Sequence, residues 1–484
     1  MTSRFLSGGG VLRHNALNAT DVIAMATATY APTAALYFNT PIAASFAGAG
    51  VPICFLLATV AMLIVTTCMA QLARHQANAG GYYTWIRSAL GQRAGFLVGW
   101  LVLAGSFLVV PGVYAAEGDY VSTILARYGV HLDWLIIALV LLALITAVNV
   151  LGVRPSVRTG GLILIVELVI VTVLCLVIVG KGGASGNSAV PFKLPSGFGA
   201  VGGAMVFGVL SFIGFEAVTT TGEEAGRARR NIPLALFLAV IIGGVFLTLG
   251  SYAATIGFGV NHTGQLAGNA APFDTLAERF ADPAFRLAID IAGVTSFTAS
   301  VLLTTLAVSR IYFAMARDKL LPGVLGNVSA RYKTPIVAIL AEGALALVLF
   351  VVLGLWVGPM NTYAYLGTVL TFAMVPVYVL ILASTVVVFT RSLRHLFNPF
   401  LHVVLPVVGA AVIVYPLWSL SPLGGPQPAP YDYLPLVVLG YLVAGIVLTF
   451  ILRQRFARAE TIIGRAAFEE GGETSEKEPS HAES

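Results

Sequence analysis

VFGVLSFIGFEAVTTTGEEA, residues 206–225, begins as a membrane helix and stops reading as one halfway along. The run is apolar through Leu210; then Ser211, Gly214 and Glu216 interrupt it, and three threonines follow. Lipid satisfies no backbone hydrogen bond, so irregular backbone at membrane depth occurs only where it lines a cavity or is buried in protein. A second stretch has the same character. AMATATYAPTAALYFNTP, residues 24–41, carries Pro32 in its middle and Pro41 at its end, with Thr27, Thr29, Tyr30 and Thr33 clustered around the first proline. Proline removes one helical hydrogen bond and clashes with the carbonyl four residues back. Both segments are expected to be broken helices.

The rest of the chain supplies the setting. Of 484 residues, 58% are hydrophobic and 10% charged, against about 25% charged in soluble domains. So few charges cannot cover a soluble surface of this size, whereas they suffice if most of the surface faces lipid. The composition also excludes disordered, collagen-like and disulfide-framework chains; Cys54, Cys68 and Cys175 all lie in apolar runs. A spanning helix needs about 20 apolar residues. Twelve stretches qualify: 20–47, 51–73, 93–126, 134–151, 157–180, 200–226, 232–258, 284–316, 334–357, 361–390, 398–420 and 432–453. They are helices rather than barrel strands, because they are long and lack alternation. The predicted fold class is therefore an all-α integral membrane protein.

The two broken spans are the first and the sixth. An odd number of spans per repeat makes the second copy enter the membrane from the other side, so spans 1–5 and 6–10 form an inverted pair, with substrate held where the breaks meet. Spans 11 and 12 are accessory. The predicted division is a cytoplasmic N-terminus (1–19), a transporter domain (20–453) and a disordered acidic tail (459–484) holding seven glutamates against Arg465 and Lys477. Orientation follows from the basic residues. With the N-terminus inside, only Arg127, Lys181, Lys193, Arg279 and Arg286 of the 27 Lys and Arg fall outside, which places both termini in the cytoplasm. No apolar signal core precedes span 1.

With the breaks placed, a likeness emerges. SFIGFEAVTTTGEEAGRARRNIP (211–233) resembles the span-6 block of the amino acid–polyamine–organocation (APC) superfamily. NAGGYYTWIRSALG (78–91), NVLGVRPSVRTGG (149–161) and SRIYFAMARDKLLP (309–322) agree with it in order, so the resemblance covers about residues 15–455. It implies a leucine-transporter-type 5+5 inverted repeat, alternating access, and amino acids or small amines as substrates. Two positions depart from the pattern. Where many relatives have a Gly-small-Gly break that holds a carboxylate, this chain has Ala31-Pro32-Thr33, and proline has no amide hydrogen. Where some proton-coupled relatives place a lysine bridging spans 1, 5 and 8, this chain has Glu167.

Four acids are read as lying well inside spans: Glu167, Glu216, Asp290 and Glu342. A charge at mid-membrane costs about 2.5–3.5 kcal/mol even on the lenient scale, so such residues face a cavity or a partner. Glu216 is expected to set a negative potential near a substrate amine, the alternative being a carboxyl that braces the broken helix. The substrate-binding set comprises Thr27, Ala28, Thr29, Tyr30, Ala31, Pro32, Thr33, Ser211, Phe212, Ile213, Gly214 and Glu216. Backbone carbonyls there accept from an ammonium, and the half-helix N-termini suit a carboxylate. The threonines alternatively bond their own helix carbonyls. Phe212 and Phe215 are gate candidates or ordinary packing. Glu167, with Ser296 and Ser300 of span 8, is the coupling candidate, as a titrating group or as a polar tie between helices. Asp290 and Glu342 read as structural. Glu223, Glu224, Arg227, Arg229, Arg230, Arg310, Arg317, Asp318 and Arg331 form gate ion pairs or a solvated loop face.

No P-loop, dinucleotide, zinc-protease or nucleophile-elbow motif occurs, and the seven histidines have no metal-ligand spacing, so no cofactor, metal or enzymic activity is expected. Basic residues lie in short loops, which argues against nucleic acid. The sequence therefore predicts a secondary active transporter of an amino acid or related small amine in the plasma membrane, coupled to protons or working by exchange. Sodium is the other candidate ion. Its partners are substrate and lipid, and it is a monomer or weak homodimer. The alternatives are a receptor or sensor on the same scaffold, or a polyamine-specific transporter.

Overall fold

The structure, a computed structural model, describes residues 17–77, 81–151, 157–222, 225–317, 322–329, 331–332, 334–424 and 429–451. Residues 459–484, predicted as a tail, lie outside these, as do Glu223, Glu224 and Asp318.

Among the described residues, helices lie within each of the apolar stretches. The first is split: α1 (Ala19–Ala28) and α2 (Pro32–Ala47) are separated by three residues. Asn18 caps α1 with its side chain on the Asp21 amide while Asp21 returns a carboxylate to the Asn18 amide, so two otherwise free donors are satisfied reciprocally. Pro32 opens α2, where a missing amide breaks no intrahelical bond. There follow α3 (Val51–His75), α4 (Gly81–Leu90), α5 (Gln92–Arg127), α6 (Trp134–Leu151), α7 (Val157–Gly180) and α8 (Phe198–Leu210). After α8 come a 3-10 segment, Phe215–Thr221, and α9 (Ala228–Phe258). The remainder comprises α10 (Thr263–Ala267), α11 (Pro272–Phe280), α12 (Pro283–Arg317), α13 (Ile336–Val357), α14 (Pro359–Val387), α15 (Leu405–Ser419) and α16 (Leu434–Ile451). Among the described residues, ten helical segments are long and apolar enough to cross a membrane, the first of them running through α1, α2 and α3. The chain is a multi-pass membrane protein.

Burial separates two kinds of helix. Residues 202–210 of α8 are buried without exception, as are most of α2 and α14. By contrast α7 turns Leu162, Ile165, Val166 and Val169 outward, and α16 exposes Leu436, Val437, Val443 and Phe450. Large exposed aliphatics on a contiguous helix face belong against hydrocarbon. The structure thus has a lipid-facing periphery and an interior built around α2, α8 and α14.

The tally of acids inside spans is corrected by α5, which adds the fully buried Glu117 and the half-buried Asp119. Of the charges expected to form gate pairs, the side chains of Arg310 and Arg317 lie outside the described set. The ion pairs found among the described residues are elsewhere. Asp274 of α11, fully buried, is paired with Arg127 at the end of α5 and with Arg286 at the start of α12, the latter at 2.6 Å. Glu278 lies 3.3 Å from Arg127.

Candidate functional site

Both breaks are real and they meet. After Ala28 the chain turns through Thr29 and Tyr30 to Ala31, whose φ of 45° and ψ of 70° put a non-glycine residue in the left-handed region. In the second break the helix ends at Leu210, turns through Ser211, Phe212 and Ile213, and reaches Gly214 at φ +116°. A Cβ on Gly214 would come within 2.8 Å of the Thr29 carbonyl oxygen. The two irregular segments therefore touch backbone to backbone, which only glycine permits here. Tyr30 steadies the junction: its ring lies 6.0 Å from that of Phe212, and its hydroxyl donates to the Ala239 carbonyl of α9 at 2.8 Å.

Beside this junction lies a cavity of about 440 Å³. That volume falls within the roughly 300–1,000 Å³ of small-molecule sites. One wall is the first break (Thr29, Tyr30, Ala31) and another is the second (Ile213, Gly214, Glu216). Val109 and Val113 of α5, Leu370 and Met374 of α14, and the stacked rings of Phe38 and Phe297 make the apolar remainder. Asn39, Tyr363, Ser300 and Thr304 supply separate polar points, and Tyr82 of α4 closes part of the boundary. A mostly apolar cavity with a few placed polar groups orients a small ligand rather than solvating it.

Glu216 both lines this cavity and braces it. Its Oε2 accepts from the Gly214 amide at 3.1 Å and from the Tyr378 hydroxyl of α14 at 3.3 Å. The carboxyl therefore holds the left-handed glycine in place while remaining the single charged residue among the described lining.

The other expected residues divide. Thr29, Tyr30, Ala31, Ile213, Gly214 and Ser300 line the cavity; Thr27, Ala28, Pro32, Thr33, Ser211, Phe212, Phe215 and Ser296 do not. Thr27 and Thr29 donate to the carbonyls of Ile23 and Ala26, each at 3.0 Å, the local bonding open to any helical threonine. The Thr33 hydroxyl is buried without a hydrogen-bond partner. Phe212 and Phe215 are fully buried in packing.

Two polar chains converge on the broken helices. In one, the Thr295 hydroxyl of α12 donates to Glu167 at 2.8 Å, and the neighbouring Ser296 accepts from the Ala34 amide in the first turn of α2 at 3.3 Å. In the other, Asn39 donates to Ser211 at 2.8 Å and accepts from the Tyr363 hydroxyl at 2.9 Å, while Ser211 donates to the Phe207 carbonyl at 2.7 Å. The sequence reading overlooked Asn39, Tyr363, Tyr378 and Glu117, whose carboxyl accepts from Thr298 at 2.6 Å. Glu117 was visible as an acid inside a span, and Asn39 as an amide two turns beyond a break; the tyrosines carry no signal that separates them from membrane aromatics in general.

Comparison with known proteins adds an independent line. The sequence model described as amino acid permease matches residues 21–460. A branched-chain amino acid permease of Bacillus subtilis (strain 168) is 28% identical over 69% of this chain and 74% of its own length. A methylthioribose transporter of the same organism is 26% identical over 84% of this chain and 88% of its own. The vacuolar cationic amino acid transporter 4 of Arabidopsis thaliana is 28% identical over 76% of this chain and 63% of its own.

Proposed function

The chain belongs to the amino acid permease family, and on that premise we propose that it is a secondary active transporter of an amino acid across the plasma membrane by alternating access. The observation that carries the reading is the junction of two broken helices at the wall of a cavity of ligand size. Of the two breaks, Thr29 and Ile213 bring backbone carbonyls to the cavity wall, where they accept from an ammonium, and the start of α2 reaches the wall at Ala34 with its positive end toward a carboxylate. Glu216 supplies one negative potential. A single acid among the described lining residues matches one amine, which favours an amino acid over a polyamine.

The layout that goes with this reading is twelve spans, with 1–5 and 6–10 as inverted repeats, 11 and 12 accessory, and both termini cytoplasmic. Coupling runs through Glu167. Its partner Thr295 adjoins Ser296, which reaches the Ala34 amide, so protonation of Glu167 is one residue removed from the first turn of α2. Phe212 and Phe215 act as packing behind the break rather than as gates. The three relatives are named for branched-chain amino acid, cationic amino acid and methylthioribose cargoes, so the cargo is decided by this chain's own walls. Those walls are apolar, which favours an uncharged side chain.

Purified protein in liposomes tests the proposal: it accumulates labelled amino acid when an inward proton gradient is imposed, and Glu167→Gln abolishes the response to that gradient. Glu216→Gln keeps an acceptor for Gly214 and Tyr378 but removes the charge, so KM rises about tenfold, the loss expected for one charge-assisted hydrogen bond. Binding without accumulation would instead identify a receptor. Unchanged KM and pH dependence in the Glu216→Gln protein would remove that residue from the site.

A further inference from the structure

Asn39 is 1% exposed, lines the cavity, and spends only half of its hydrogen-bonding capacity on the protein. One N–H goes to Ser211 and one lone pair of its carbonyl is taken by Tyr363. A primary amide has two donors and two acceptor sites. One of each is left over, with no further partner among the described residues, on a side chain clamped from two helices. Around it the cavity is apolar: Phe38 and Phe297 stack at 3.7 Å, and Leu210 lies beside the second break.

We propose that Asn39, held by Ser211 and Tyr363, forms a polar subsite that reads an uncharged donor–acceptor group, a hydroxyl or carboxamide, on the side chain of the transported amino acid. The inference rests on the amino acid transport reading and sharpens it to a substrate class. A purely aliphatic side chain leaves the spare amide groups unpaired in a dry cavity, which disfavours it. A charged side chain meets a neutral amide and apolar rings, with no counter-ion among the described residues of that wall. The site also reports on itself. Ser211 is the first residue past the end of α8, so a ligand bonded to Asn39 bears on both broken helices at once.

The test uses two near-isosteric pairs, threonine with valine and asparagine with leucine, in proteoliposome uptake by the full-length protein. Wild type prefers the polar member of at least one pair by about tenfold or more in kcat/KM. Asn39→Leu, which keeps the volume, brings that ratio to about one while valine or leucine uptake persists. Tyr363→Phe leaves the amide but frees it to turn, so the ratio falls partway; Val169→Leu, on the exposed outer face of α7, leaves it unchanged. If Asn39→Leu transports nothing, the same ratio is read from ligand-induced thermal shifts of that purified variant and from Tyr363→Phe uptake. A wild type that takes up amino acids without preferring the polar member, or an Asn39→Leu ratio equal to wild type, overturns the subsite. Wild-type protein that takes up no amino acid overturns the transport reading itself.

Discussion

Gly214 meets Thr29 with no side chain between them, and that contact decides what each position tolerates. Gly214→Ala adds a Cβ 2.8 Å from the Thr29 carbonyl in a backbone conformation that costs an L-residue about 1–2 kcal/mol. The expected outcome is loss of uptake with a lowered unfolding temperature in detergent, read side by side so that a folded but inactive protein is recognised. Ala31, left-handed without being glycine, carries its own strain in the facing strand of backbone. The residue types at these breaks were legible because they violate the grammar of a membrane helix: Pro32, Gly214 and Glu216 have no reason to be at mid-span unless the backbone departs there. Their partners were not. Tyr378 reaches Glu216 from a helix 162 positions away, and nothing in its own neighbourhood marks it.

At the scale of elements, α11 shows what hydropathy cannot find. PFDTLAERF is too short and too polar to read as a span, yet it packs Phe273 against Tyr37 of α2, with ring centroids 4.6 Å apart, and ties α5 to α12 through Asp274. Asp274 is fully buried between Arg127 and Arg286, so removing its charge leaves both guanidinium groups to the more exposed Glu278 alone. Asp274→Asn is expected to destabilise the protein by about 1.5–3 kcal/mol, the loss of hydrogen bonds to charged groups, measured as a fall in denaturant midpoint. Double replacement of Asp274 and Arg286 by apolar residues recovers part of that loss, since removing both partners of a buried pair is far milder than removing one. The long spans were readable because lipid imposes composition on some twenty consecutive residues. The connectors α4, α10 and α11 were not, because contacts distant in sequence, rather than composition, hold them.

For the molecule as a whole, orientation in the membrane is measurable because the native thiols are buried. Cys54, Cys68 and Cys175 are buried, so background labelling by a membrane-impermeant maleimide is low. On the orientation proposed from the basic residues, the loop after α9 lies outside and the C-terminal end of the chain inside. Asn261→Cys is therefore expected to label in intact cells, and Ser475→Cys only after permeabilisation; the opposite pattern inverts the orientation. Burial has a further consequence, for descent rather than for mechanism. A leucine-to-isoleucine exchange on the outer face of α7 swaps one hydrocarbon contact for another, whereas along residues 202–210 of α8, all buried, added volume displaces a neighbour, as a Cβ on Gly203 would displace Phe46. Lineages of this protein are free to diverge where they meet the bilayer and are held where α2, α8 and α14 close on one another, so its history is written on the periphery and its cargo in the interior.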